Sequence, residues 1–350
     1  MRQLPKAELH LHLDCSLSYD VVSAIDPLVT REQYEVAFIA PPKCTDLADF
    51  LLRAPMGIAL MQTKEHLGMV VRDLFQQLLA DNVLYAEIRF APLQHLDKGL
   101  TAYEVVAATE SATAAAIAET GIEARLILCT LRHYTEAQSM ETVHLVEQFK
   151  HTLVAGFDIA ANEAGFPIDA HIKAFEFAKS NGIFCTAHAG EACGAPSVWE
   201  TLEHFGPTRI GHGVRCIEDD RLVAHLKKYN IHLEVCPSSN LQTNMYHSYE
   251  KHPVDALYKA GISLSLSTDT RTITNITLNQ EYVKMKQSFG WETADFFKCN
   301  MYALEAAFLP KKEKEKLMKK MTGKYNELIS QLANELINSS HTKLLTSSKS

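Results

Sequence analysis

Two histidines two positions apart, His10 and His12 in ELHLHL (8–13), are the first residues in the chain that invite chemistry. Side chains on a strand alternate with a period of two, so both imidazoles point to one face. Neutral imidazole ligates zinc and similar ions, although such a pair also occurs by accident on strands that bind nothing. HAGE (188–191) puts His188 at the end of an apolar run, with the carboxylate of Glu191 three residues on. A surface turn whose Glu starts a helix would read similarly; against that, the preceding FCTA is apolar and strand-like, and Gly190 lets the backbone turn at once. RIGHG (209–213) brackets His212 with glycines, which allow close approach to a ligand; a histidine satisfied within the protein is the alternative. LSLSTD (264–269) closes an alternating run on Asp269. A carboxylate buried there needs a partner, and a metal ion would be one; capping the next helix is the other reading. No one of these signals decides the matter. In chain order, at the ends of successive strand-like runs, they converge on metal-assisted chemistry with a carboxylic acid close by.

These side chains meet only if the runs that carry them lie side by side. Eight short apolar segments recur between longer amphipathic ones: 8–13, 83–91, 124–131, 153–160, 183–190, 209–213, 231–237 and 262–268. Helical periodicity fills most of the gaps, as in 70–82, 106–118, 170–182 and 221–230. Strands alternating with helices predict a parallel sheet with crossover helices, and eight repeats favour an α/β (β/α)8 barrel of the TIM type, whose chemistry sits at the C-terminal ends of the strands. No GxGxxG follows the first strand, which removes the dinucleotide-binding reading. Residues 17–70 are too long for one crossover and are read as extra helices, inserted between strands 1 and 2, that could cover the barrel mouth. The whole of 1–335 reads as one domain, and 336–350 as a disordered polar tail.

The chain has 350 residues, enough for such a barrel, and its 47% hydrophobic and 22% charged composition suits a soluble enzyme. A formal charge of −8, from 34 basic and 42 acidic residues, argues against a nucleic-acid groove or an anionic membrane as partner. The basic run 311–320 alternates with Glu and reads as a solvated helix face. No apolar run reaches the roughly 20 residues that span a bilayer, the first residues, MRQLPKAE, do not form a signal peptide, and the eight cysteines show no CxxC. A cytoplasmic location with reduced thiols is expected.

The segments KAELHLHLD (6–14), HAGE (188–191), GHG (211–213) and STD (267–269) together resemble the adenosine deaminase family. YAEIRFAP (85–92), LILCTLRH (126–133), GFDIAANE (156–163) and LEVCPSSNLQT (233–243) agree with it, so the resemblance spans about residues 4 to 310. It implies a metal-dependent hydrolase on a (β/α)8 barrel that converts adenosine and 2′-deoxyadenosine to inosine and deoxyinosine. It further implies one zinc ion per chain on His10, His12, His188 and Asp269, with Asp269 also aiming the attacking water. Glu191 would be the acid that protonates purine N1, and His212 the residue beside that water, as general base or electrostatic guide. On the substrate side, His12 would contribute beside the metal, Asp14 would hold the ribose 5′-hydroxyl, the Ala161 N–H would meet the purine, and Thr270 would face N7.

Three positions depart from the family's commonest pattern: Cys15 stands for a Gly, Ala161 for a Gly, and Thr270 for a second Asp. In the family that second Asp hydrogen-bonds purine N7; a hydroxyl is shorter and neutral but can still donate to N7, which predicts altered affinity rather than lost chemistry. A relative acting on free adenine or another 6-aminopurine is the nearest alternative, but adenine-specific relatives tend to carry Glu where this chain has Asp14. The cytidine-type zinc deaminases, with HxE and PCxxC, are excluded by the HxxE spacing here. A non-catalytic binding descendant would be expected to have lost ligands or the acid.

Overall fold

The computed structural model describes the backbone of residues 1–347 and the side chains of residues 1–331. Eight strands run β1 Lys6–His12, β2 Val83–Phe90, β3 Glu123–Leu131, β4 Val154–Ala160, β5 Phe184–Ala189, β6 Arg209–His212, β7 His232–Val235 and β8 Leu264–Leu266. Each pairs in parallel with the next in sequence. A single parallel bridge, Leu11 to Asp269, joins the last strand back to the first; there the Asp269 N–H donates to the His10 carbonyl and the His12 N–H to that of Asp269. The barrel thus closes at a residue expected to hold a metal.

The strands form where the apolar runs lie, with ends within two residues of the predicted ones. They are buried nearly throughout, as parallel strands covered by helices must be. The helix expected over 70–82 extends further back, to Lys64–Ala80, because the Thr63 hydroxyl caps it by accepting from the His66 N–H. Leu67, Val70, Val71, Leu74, Phe75 and Leu78 face the barrel from it, the three-and-four spacing of an apolar helical stripe. The last helix is Lys311–Ser347; the segment expected as a polar tail, 336–350, falls where side chains are not described. Residues 348–350 of that segment lie outside the described residues. Among the described residues, no helix is long and apolar enough to cross a membrane.

The inserted segment forms four short helices, Tyr19–Ile25, Arg31–Ala37, Leu47–Leu51 and Ala54–Leu60, ahead of Lys64–Ala80. Leu51, Ala54, Pro55 and Ile58 line one side of a pocket at the barrel mouth; His12, Asp14, Ala91, Cys129 and Ala161 line its other side. The insertion therefore borders the mouth. Gly57 sets how closely: a methyl group there would lie 2.6 Å from the Asp14 carbonyl oxygen and 3.1 Å from Leu17. Gly57→Ala should lower stability by about 1–3 kcal/mol through overpacking, against a helix-propensity gain of about 1 kcal/mol. Equal or higher stability in urea unfolding would show that the helix is not pressed against this turn.

Candidate active site

The C-terminal ends of β1, β5, β6 and β8 bring His10, His12, His188, Glu191, His212 and Asp269 to one place. The ligating atoms of His10, His12, His188 and Asp269 all lie within 4.8 Å of one another. Backbone shape at these ends is unusual: His212 and Asp269 have φ of 59° and 63°, and Ala161, after β4, has 79°. The left-handed region is unfavourable for a residue with a side chain. It turns each chain sharply off its strand and aims the side chain across the mouth.

Hydrogen bonds fix which atom each imidazole presents. Nδ1 of His10 lies 2.9 Å from Glu234 Oε2, and Nδ1 of His188 lies 3.2 Å from Asp158 Oδ1. An ionised carboxylate only accepts, so both rings carry their proton on Nδ1 and turn a bare Nε2 lone pair inward. The His10 Nε2 is buried without a hydrogen-bond partner, 3.3 Å from Asp269 Oδ1. The His188 Nε2 faces the His12 Nε2 at 3.2 Å, and the His12 Nε2 is 3.5 Å from Asp269 Oδ1. Converging lone pairs repel unless a cation lies among them. Zn–N bonds of about 2.0–2.1 Å give tetrahedral edges of about 3.3–3.4 Å, which these separations match. The residues fit a zinc ion, and the carboxylate behind each of two histidines is the usual outer support of such a site.

Glu191 and His212 flank this cluster, with His212 Nε2 3.6 Å from Glu191 Oε2. Burial pushes the Glu191 carboxyl well above the usual carboxylate range, helped by the nearby charges of Asp269 and Glu163. It is a carboxylic acid shielded from water. His212 is held well below the usual imidazole value, by burial first and then by His10. Asp269 is fixed through its other oxygen, which accepts from the Ser239 hydroxyl at 2.7 Å.

Asp14 lines the pocket just above His12. It accepts from the Ala91 N–H at 3.3 Å, and burial lifts its carboxyl to about 6. Thr270 is buried, its hydroxyl 2.8 Å from that of Thr274. Cys15 and Ala161, two of the positions that depart from the family pattern, lie on the pocket wall.

Several functional neighbours lie in stretches that agree with the family but were not singled out as site residues. Glu163 is the clearest: its carboxylate accepts from the N–H groups of Gly190, Glu191, Ala192 and Cys193 and from the Ser197 hydroxyl, all within 2.6–3.0 Å. It clamps the turn that carries Glu191. Arg89, Asp158 and Glu234 form the buried network below the histidines, with Arg89 2.7 Å from Asp158 and 2.6 Å from Glu234. A charged residue inside an apolar strand-like run was their available signal, since a buried charge needs a partner.

The family model described as adenosine deaminase matches residues 5–324. A protein named adenosine deaminase from Enterococcus faecalis is 35% identical over 331 residues, covering 93% of this chain and 98% of its own. Another of that name, from Mycobacterium ulcerans, is 37% identical over 333 residues, covering 88% and 91%. Among solved structures, a cog1816 amidohydrolase from Burkholderia ambifaria with bound Zn has the same fold, at TM-score 0.87 and 21% identity over 95% of this chain and 93% of its own.

The clamp on the 190–193 turn generates its own test. Glu163→Gln keeps the shape but points an amide at backbone N–H groups, and should destabilise the protein by about 1–3 kcal/mol. An unchanged midpoint in urea unfolding would mean that the turn holds without the charge.

Proposed function

The chain belongs to the adenosine deaminase family, and from that membership we propose how its residues divide the work of converting adenosine and 2′-deoxyadenosine to inosine, deoxyinosine and ammonia. His10, His12 and His188 through Nε2, and Asp269 through Oδ1, would hold one zinc ion, which when bound lowers the pKa of water from about 15.7 to about 7.

Carbon C6 of adenine is a poor electrophile, because attack there breaks the ring's aromaticity. Glu191, kept protonated by burial, relieves this by giving its proton to N1 as the water oxygen adds to C6. The electron pair displaced into the ring is neutralised as it forms. Asp269 accepts the water's proton and passes it to the departing amine, so the leaving group is neutral ammonia. The hydroxyl proton of the adduct then returns to Glu191, leaving inosine with its N1–H. General acid–base help of this kind is worth roughly 10²–10⁴ in rate per group. Asp14 would hold the ribose 5′-hydroxyl, and the Ala161 backbone and Thr270 hydroxyl would meet the purine ring.

One observation supports this reading above the others: an acid that burial keeps toward its protonated form stands within 4.8 Å of Asp269, a member of a four-donor cluster whose His12 lines a pocket together with Asp14. Purified protein should convert adenosine to inosine, followed by ultraviolet absorbance, and should leave free adenine largely untouched. Equal turnover of adenine would remove the role given to Asp14. Glu191→Gln should retain metal and fold yet lose roughly 10²–10⁴ in kcat; near-normal kcat would assign the acid elsewhere.

His188→Ala removes one of four donors and should lower bound zinc per chain, read by elemental analysis of the dialysed protein. Unchanged stoichiometry would count against the proposed ligand set.

A further inference from the structure

We infer that Asn240 and His252 are positioning residues that lock His212 into its Nε2–H tautomer, so that His212 donates a hydrogen bond to the reacting oxygen and takes no proton from it.

The direction of the lock starts from a group that cannot be reversed. Val254 opens the helix Val254–Lys259, where a backbone N–H has no acceptor within the helix. It donates to His252 Nδ1 at 3.1 Å. A backbone N–H only donates, so His252 Nδ1 carries a lone pair. The ring is buried and burial holds it neutral, with its pKa lowered to about 3. Its single proton is therefore on Nε2, which lies 3.1 Å from Asn240 Oδ1.

That contact orients the Asn240 amide. Turning the amide over would set its NH₂ against the His252 Nε2–H, two donors face to face in a site closed to water. With Oδ1 toward His252, Nδ2 is left 3.2 Å from His212 Nδ1. An amide nitrogen likewise only donates, so His212 Nδ1 accepts. A doubly protonated His212 would point an N–H at that donor, and the same geometry excludes it. The one ring proton of His212 is then on Nε2, on the side that faces Glu191. Three groups in series transmit one fixed donor to the centre.

The consequence is chemical. An Nε2–H can stabilise negative charge growing on an oxygen bound for C6. It offers no lone pair on that side, so the proton of the attacking water goes to a carboxylate. Asn240 and Ser239 are neighbours on the single short helix Pro237–Gln242 after β7. Ser239 holds Asp269 at 2.7 Å, so one helix both fixes the proton acceptor and sets the donor.

The role in catalysis rests on the deaminase reading; the tautomer does not. Protein labelled with [15N]histidine is measured by two-bond 1H–15N correlation, and loss of signals in His212→Gln identifies the His212 ring. Wild-type protein should show Nε2 protonated and Nδ1 bare. Asn240→Asp puts an acceptor-only group opposite both rings, so the His212 proton should move to Nδ1. With adenosine, kcat should then fall roughly 10²–10³-fold, the loss expected for one donor to a developing oxyanion, while KM stays nearly unchanged. A wild-type Nδ1–H pattern overturns the inference by itself, even should the variant fail to fold. So does an Asn240→Asp protein whose tautomer and kcat match wild type. If adenosine is not turned over but the tautomer is Nε2–H, the lock stands and the deaminase reading is what fails.

Discussion

A carboxylate at the axis of the barrel, with no water to hydrate it, dictates much of what surrounds it. Glu234 accepts from His10, Arg89, Arg209 and Thr186, at 2.9, 2.6, 2.7 and 2.9 Å. Those donors come from β1, β2, β6 and β5, so one side chain ties together half the strands. Removing it would leave the buried Arg89 and Arg209 with one carboxylate partner each, Asp158 and Glu87, and would break the network that joins them.

Above this charged layer the structure accepts backbone strain in return for aim. Asp269, His212 and Ala161 hold left-handed φ values without being glycine, each unfavourable by roughly 1–2 kcal/mol. Local bonds stabilise two of them: Asp269 closes the barrel onto β1 through its own N–H and C=O, and His212 is gripped by Asn240. Gly190 and Gly213, also left-handed, pass close beneath these side chains, and a methyl group on Gly190 would lie 2.5 Å from Val198. The sharp turns and the tight packing under them serve one end, which is to point polar groups inward from strands whose other residues are apolar.

This division explains what could be read from residue order. The eight strands were legible because apolar runs bounded by turn residues recur eight times, and the barrel follows from their number. The shared face of His10 and His12 was legible from period-two spacing, while the proposed joint ligand set with His188 and Asp269, and the proposed acid Glu191, came through family resemblance. Glu163 and Asn240 lay within matching stretches, but their roles, and His252, were not legible. Each acts through a partner elsewhere in sequence: Glu163 on 190–193, Asn240 on His212, His252 on Asn240. Hydrogen bonds of that kind leave no period, and only the folded chain brings the partners together.

The segment from Glu8 to Asp14 joins these layers. Glu8 accepts from Arg271 and Thr268 at the β8 side, His10 rests on Glu234, and the Asp14 carbonyl faces Gly57 of the inserted helix, where a side chain would meet it. On the same stretch lie two proposed metal ligands and the proposed ribose contact. The strand is held at its base by ion pairs and at its middle by a buried carboxylate. The proposed ribose contact at Asp14 and the proposed ligands His10 and His12 therefore sit on one segment held along its length, and the insertion approaches that segment at Gly57.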